Sequence, residues 1–220
     1  MDAASRARLT PRSLPLFPGD SLFARVARTL CTASCVPRKE LFESWEVARR
    51  IRRHVRGGRV VDLACGHSLV AHLLLLLDDT SPGALAVDRR IPLSAQRVAD
   101  ALAGTWPRLS GRVRLLAAPV ESTELSSEDL VVSAHACGGL TDTILSRAVA
   151  AGARVAVLPC CHDLVRPRRL PLEGWLDGPL SLDVARAARL EACGYTVRAI
   201  RIPAEITPKN RLLLGIPPRP

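Results

Sequence analysis

Aromatic side chains are scarce in this chain: three Phe, three Trp and one Tyr among 220 residues. That scarcity argues against a base-stacking platform of the kind single-strand nucleic-acid binders use. Lysine is almost missing. Lys39 and Lys209 are the only two among 31 cationic residues, so arginine carries nearly all of the formal net charge of +10. Such an excess points to a polyanionic partner, RNA above all. Arginine in place of lysine, together with abundant Ala, Leu and Pro, fits the coding bias of a GC-rich genome equally well. No apolar run approaches the ~20 residues of a membrane span, because the leucines at 73–77 meet Asp78 and Asp79 at once. The basic-then-apolar layout of a secretory signal is missing at the N-terminus. Seven cysteines, an odd number scattered through strand and loop patterns, speak for reduced thiols rather than a disulfide framework. The expectation is a cytoplasmic protein with one α/β domain, long enough to bury a proper core. Its oligomeric state stays open.

The chain is organised around Arg59-Val60-Val61-Asp62-Leu63-Ala64-Cys65-Gly66-His67-Ser68 and the leucine-rich stretch that follows. A β-branched apolar run ending in small residues reads as a buried strand, then a tight turn, then a buried helix. Gly66 suits the turn and lets a ligand approach, while the next helix offers free N–H groups. Asp62 is an acid at the carboxyl end of an otherwise apolar strand, where an open α/β sheet binds a nucleotide-like ligand.

Residues 1–20 are rich in Arg, Ser and Pro, show no period and read as an irregular or mobile basic arm. Helical spacing follows at 21–30. Cys31 and Cys35 lack two further ligands within sequence reach and read as buried thiols rather than zinc ligands. A helix is expected over 37–54, with Leu41, Trp45, Ala48 and Ile51 inward and Gly57-Gly58 after it. Arg38 and Lys39 at its start are either solvated or close enough to meet a cofactor carboxylate. Strands are expected at 83–88, 113–116, 129–134, 153–158, 195–202 and 212–216, and helices at 94–102, 143–151 and 183–193. This alternation predicts parallel strands with right-handed crossovers. Asp88 falls about twenty residues past the glycine turn, the place of a ribose-binding carboxylate; a surface Asp paired with Arg89 or Arg90 fits as well. Residues 166–179 form a Pro- and Arg-rich insertion carrying Trp175, expected to lie over the site. The strands ending near 134 and 158 should be neighbours, which would gather His135, Cys137, Cys160, Cys161 and His162 at the edge that holds Asp62 and Asp88.

The pattern Asp62-x-Ala64-x-Gly66-x-Ser68 resembles motif I of the class I S-adenosylmethionine-dependent methyltransferases, with only the middle of three glycines kept. His135-Ala136-Cys137-Gly138-Gly139-Leu140-Thr141-Asp142 followed by Cys160-Cys161-His162 resembles a methyltransferase-domain family of its own. That family takes in tRNA acceptor-stem 2′-O-methyltransferases, methyltransferase-like proteins and the methyltransferase half of a glutathione-transferase-C-terminal-domain-containing protein. The likeness runs from about Pro37 onwards, so it implies a basic arm with a short helix over 1–36 and a methyltransferase domain over 37–220. It departs from the family at the two missing glycines, at Gly139 where some members have Asp, and in lacking an RNA-targeting zinc module.

The resemblance implies a Rossmann-like three-layer sandwich with a mainly parallel seven-stranded sheet and an antiparallel last strand. It implies S-adenosylmethionine as cofactor, held by Asp62, Ala64, Gly66, Ser68, Asp88, Arg89, Val120, Glu121 and His135. His135 or His162 would act as general base. Cys137, Cys160 and Cys161 fit three roles: small packing residues, partners of the histidines in a metal site, or reactive thiols; no metal is assigned. Lys209, Asn210 and Arg211, in the turn before the last strand, would face the substrate. The implied activity is methyl transfer to RNA, tRNA or rRNA. Transfer to a protein or small molecule, or cofactor and RNA binding without turnover, remain the alternatives.

Overall fold

The computed structural model describes residues 2–160, 162, 172 and 174–218. Seven strands form one sheet in the order β3-β2-β1-β4-β5-β7-β6. They are β1 (Val60–Leu63), β2 (Ala84–Asp88), β3 (Val113–Ala117), β4 (Leu130–Ser133), β5 (Arg154–Val157), β6 (Thr196–Arg201) and β7 (Arg211–Ile216). The first five run parallel, and β7 lies antiparallel between β5 and β6. This is the expected three-layer sandwich.

The helices are α1 (Leu22–Ala33), α2 (Arg38–Arg52), α3 (Leu69–Leu77), α4 (Leu93–Thr105), α5 (Gly139–Ala150) and α6 (Gly178–Ala192). Alternate strand residues point to opposite faces, and two hydrophobic clusters result. Val60, Ala86, Leu130 and Val132 pack with residues of α1 to α4 on one face. Val61, Val87, Val131 and Val155 pack with Ile144 and Leu145 of α5 and Leu190 of α6 on the other. Every residue of α3 from Leu69 to Leu76 is buried, so the leucine run is a central helix apolar all round. Among the described residues no helix is long and apolar enough to cross a membrane.

The N-terminal twenty residues, read from the sequence as an irregular arm, include a 3-10 helix at Pro11–Leu16 and are anchored rather than loose. Leu9 and Phe17 are buried in the same cluster as α1 and α2. Backbone bonds join Leu9 N to Val36 O, Arg38 N to Ala7 O and Lys39 N to Ser5 O. The Phe17, Phe23, Phe42 and Trp45 rings pack together across the 36/37 boundary. Arg38 and Lys39 are drawn into this junction, Lys39 Nζ bonding Glu43 at 2.9 Å. Arg38 Nη1 donates to Asp2 O at 3.4 Å, and the Lys39 pair lies within α2 itself.

Two helices start earlier than their spacing predicts. α6 begins at Gly178 because Asp177 accepts a hydrogen bond from Leu180 N at 2.8 Å and Pro179 fits its first turn. α5 begins at Gly139 after Gly138 turns with a positive φ of 57°.

Candidate active site

The carboxyl edge of the sheet gathers the loops after β1, β2, β4 and β5, with the β6–β7 turn beside them because β7 runs the other way. At its centre, β1 carries Asp62 as its penultimate residue, and the chain then turns through Ala64, Gly66 and Ser68, all three at positive φ (57°, 50° and 58°). Two of the three left-handed positions thus carry a side chain, at a cost of about 1 kcal/mol each. Apart from its chain neighbours, nothing lies within 4 Å of the place a Cβ of Gly66 would take. The turn therefore faces open space. Gly66 N donates to Asp88 Oδ2 at 3.1 Å, binding the loop after β1 to the end of β2.

Asp62 is 1% exposed and accepts from Ala71 N in the first turn of α3 at 3.2 Å. Burial, reinforced by the charges of Asp88 and Glu40, pushes its carboxyl up to about 7. Glu40 Oε1 in turn lies 2.7 Å from His67 Nδ1. Asp88, Glu40 and the partly protonated Asp62 therefore give the Gly66 turn an acidic surround in an otherwise basic chain. Glu40 and His67 escaped the sequence reading, since nothing in the spacing joins α2 to this loop.

Other expected residues fall into place unevenly. Ser68 is fully buried, with Oγ 3.4 Å from His72 Nδ1, so its side chain supports α3 rather than lining the open turn. Arg89 and Glu121 are exposed, and Val120 is buried in a short 3-10 turn after β3. Beyond β4, His135 is half-buried and its Nε2 is buried without a hydrogen-bond partner among the described residues. Cys137 Sγ and Cys160 Sγ lie 3.1 Å apart, bridging the loops after β4 and β5. Cys161 lies outside the described residues, as does half of the 166–179 insertion; Trp175 of that insertion is 85% exposed. Among the described residues no three His, Cys, Asp or Glu side chains are placed to hold a metal ion.

His162 pairs with a carboxylate of α6. Its Nε2 lies 2.8 Å from Asp183 Oδ1, and the imidazole side chain is 2% exposed. Arg211 Nε reaches Asp183 Oδ2 at 2.7 Å. Arg186 bridges Asp183 and Asp142, with Nη1 at 3.2 Å from the first and a two-pronged pair of 3.1 Å bonds to the second. Of the three expected substrate residues, Arg211 is therefore tied to α6. Asn210 Nδ2 donates to Ile202 O at 3.0 Å and closes the turn, while Lys209 is exposed.

A family model described as a methyltransferase domain matches residues 40–168, the segment that carries the Gly66 turn, Asp88 and both His/Cys loops. The chain belongs to the methyltransferase-domain family. Over 124 residues it is 27% identical to the glutathione S-transferase C-terminal domain-containing proteins of Homo sapiens and Macaca fascicularis, covering 39% of this chain and 19% of theirs. This chain thus spans about a fifth of the length of those relatives. Among solved structures, an O-methyltransferase family protein from Burkholderia thailandensis superposes with a TM-score of 0.54 at 16% identity, covering 95% of this chain and 63% of that one. The S-adenosylmethionine-dependent methyltransferase SibL, in its apo form, gives 0.53 at 21% identity, over 96% and 66%. At these identities the structural likeness concerns the fold, a class I methyltransferase sheet carrying an unusually thin glycine loop.

Proposed function

We propose that this methyltransferase-domain protein uses S-adenosylmethionine and acts on RNA. The observation that carries the cofactor reading is the Gly66 turn, open in front and surrounded by Asp62, Asp88 and Glu40. A ligand bearing an ammonium, a sulfonium and vicinal hydroxyls suits that acidic surround. Asp88 spends one lone pair on Gly66 N, which leaves acceptor capacity for ribose hydroxyls. Asp62 and Glu40 supply the negative field for the cationic end, and Val120 and the orphaned Nε2 of His135 stand at the adjoining loops. When bound, the cofactor supplies a methyl group on a positively charged sulfur. The protein's part is to align it with a nucleophile and to exclude water.

The RNA reading rests on the net charge of +10 and on where unpaired cations lie. Arg89 and Arg90 after β2, Lys209 in the β6–β7 turn, and Arg8 and Arg97 at the start of α4 are all exposed. None of the five has an ion-pair partner among the described residues, so they remain available to phosphates. The test is incubation of total cellular RNA, digested protein and a small-molecule extract with methyl-labelled S-adenosylmethionine. Label entering the RNA fraction alone supports the reading; label entering only protein or small molecules contradicts the choice of acceptor.

A further inference from the structure

We infer that Asp183, Arg186 and Arg211 form a clamp holding His162 in one tautomer, with Nδ1 as the proton acceptor for the methyl-receiving nucleophile. The inference rests on the methyltransferase reading for the reaction and on geometry alone for the tautomer.

A carboxylate accepts hydrogen bonds and cannot donate them. The 2.8 Å contact between His162 Nε2 and Asp183 Oδ1 therefore places the imidazole proton on Nε2. In the neutral ring this leaves the lone pair on Nδ1, the atom that is buried and has no hydrogen-bond partner among the described residues. Such an atom is costly to leave unpaired in a protein interior. An acceptor hydroxyl or amine arriving at the carboxyl edge would supply the missing donor.

Asp183 and Asp142 carry two negative charges, and Arg186 and Arg211 two positive ones. The group is balanced before His162 is counted, and Arg186 is only 2% exposed. The carboxylate is also held firmly. Burial alone would raise the Asp183 carboxyl, but hydrogen bonds from His162 and Arg211 outweigh it and hold it below the ordinary carboxylate range. Arg186 Nη2 further donates to Gly138 O at 3.2 Å, inside the loop after β4. The clamp thus joins both His/Cys loops to α6 and β7. A cleft of about 210 Å³ opens beside it, lined by Pro159, Asp183, Val184, Ile200 and Arg211.

In the step that follows, the nucleophile's proton passes to His162 Nδ1. The nucleophile's electron pair forms the new bond to the methyl carbon, and the pair of the broken carbon–sulfur bond stays on sulfur. The imidazolium formed is stabilised by Asp183 and later returns its proton to water. Asp183 is then a positioning residue acting through His162.

The first readout needs neither cofactor nor acceptor. Nitrogen-15 spectra of the histidine rings, with His162→Asn used to identify the signal, should show His162 protonated at Nε2 and bare at Nδ1. Asp183→Asn, near in shape but able to donate, should abolish that pattern. A wild-type His162 protonated at Nδ1, or at both nitrogens near neutral pH, would overturn the inference. The second readout is transfer from labelled S-adenosylmethionine to total RNA. Asp183→Asn and His162→Gln should each lower kcat about 100-fold or more, with unchanged calorimetric affinity for S-adenosylmethionine as evidence of folding. A kcat within threefold of wild type in both variants would also overturn it. If wild-type protein methylates no RNA, the RNA reading fails, while the tautomer measurement still decides the clamp.

Discussion

Asp62 combines full burial with two like-charged neighbours, and the consequence is a pH-dependent resting state. Its carboxyl is pushed up to about 7, from an ordinary value of about 3.8. A group whose pKa is raised by folding binds its proton more tightly in the folded state than in the unfolded one. Its contribution to stability is present below about pH 4 and is lost as pH rises towards 7. Asp62→Asn should flatten that dependence, which urea melts at pH 5 and pH 8 would show. Binding of a cationic cofactor favours the carboxylate, so titration at pH 6 should release protons from wild-type protein and fewer from Asp62→Asn. Equal proton release in the two would contradict the role given to Asp62.

Ala64 stands in the left-handed region at φ 57° without the glycine that relieves it. Ala64→Gly should remove about 1 kcal/mol of strain and return part of it through a more flexible unfolded chain. The expected net effect is a small rise in the urea midpoint; a fall of 1 kcal/mol or more would show that the methyl group makes contacts worth more than the strain. Such sites were partly legible in the sequence. Asp62, Gly66 and Asp88 stood out because an acid ending an apolar strand and a glycine opening a helix are local signals. Asp183 and Arg186 gave none. Their partners lie 21 and 44 residues away, and pairings at that distance leave no trace in spacing.

Among the elements, α2 and α3 are held together by the buried ion pair of Arg52 and Asp78. Arg52 Nη1 lies 3.0 Å from Asp78 Oδ2, with side chains 3% and 1% exposed. Burial works against the Asp78 carboxylate, but hydrogen bonds from Gly57 N and Thr80, with the Arg52 charge, hold it down to about 2. Its stabilising contribution is therefore complete above about pH 4 and is lost as pH falls towards 2. Asp78→Ala would strand a buried guanidinium and release the Gly57 turn, which should cost about 3–5 kcal/mol in denaturant unfolding. A loss below 1 kcal/mol would contradict the pairing. All seven strands were legible from apolar runs bounded by turn residues. The start of α6 was not, because Asp177 and Pro179 sit in a Pro- and Arg-rich stretch that reads as loop. The N-terminal region misled for a similar reason: Leu9 and Phe17 are single anchors without a period, yet both are buried.

Taken whole, the molecule sets an acidic cradle into a strongly basic surface. The two fields suit different ligands, a cation in the cleft and a polyanion around its rim. Binding of total tRNA should therefore weaken steeply with salt, by roughly 100-fold between about 50 and 200 mM if about five phosphates are neutralised. Arg89→Ala with Arg90→Ala should reduce that slope. Salt-independent binding, or none, would leave the charge to arginine-rich composition alone.

The central claim is that the Gly66 turn, thin as its glycine pattern is, still holds S-adenosylmethionine. The most direct test is calorimetric titration of nucleic-acid-free protein with S-adenosylmethionine, beside the variant Asp88→Ala. Saturable micromolar binding, weakened about 100-fold by loss of a carboxylate that accepts hydroxyl donors, is the predicted result. A folded wild-type protein that binds no S-adenosylmethionine would contradict it, and would mark the chain as a methyltransferase fold that has lost its cofactor.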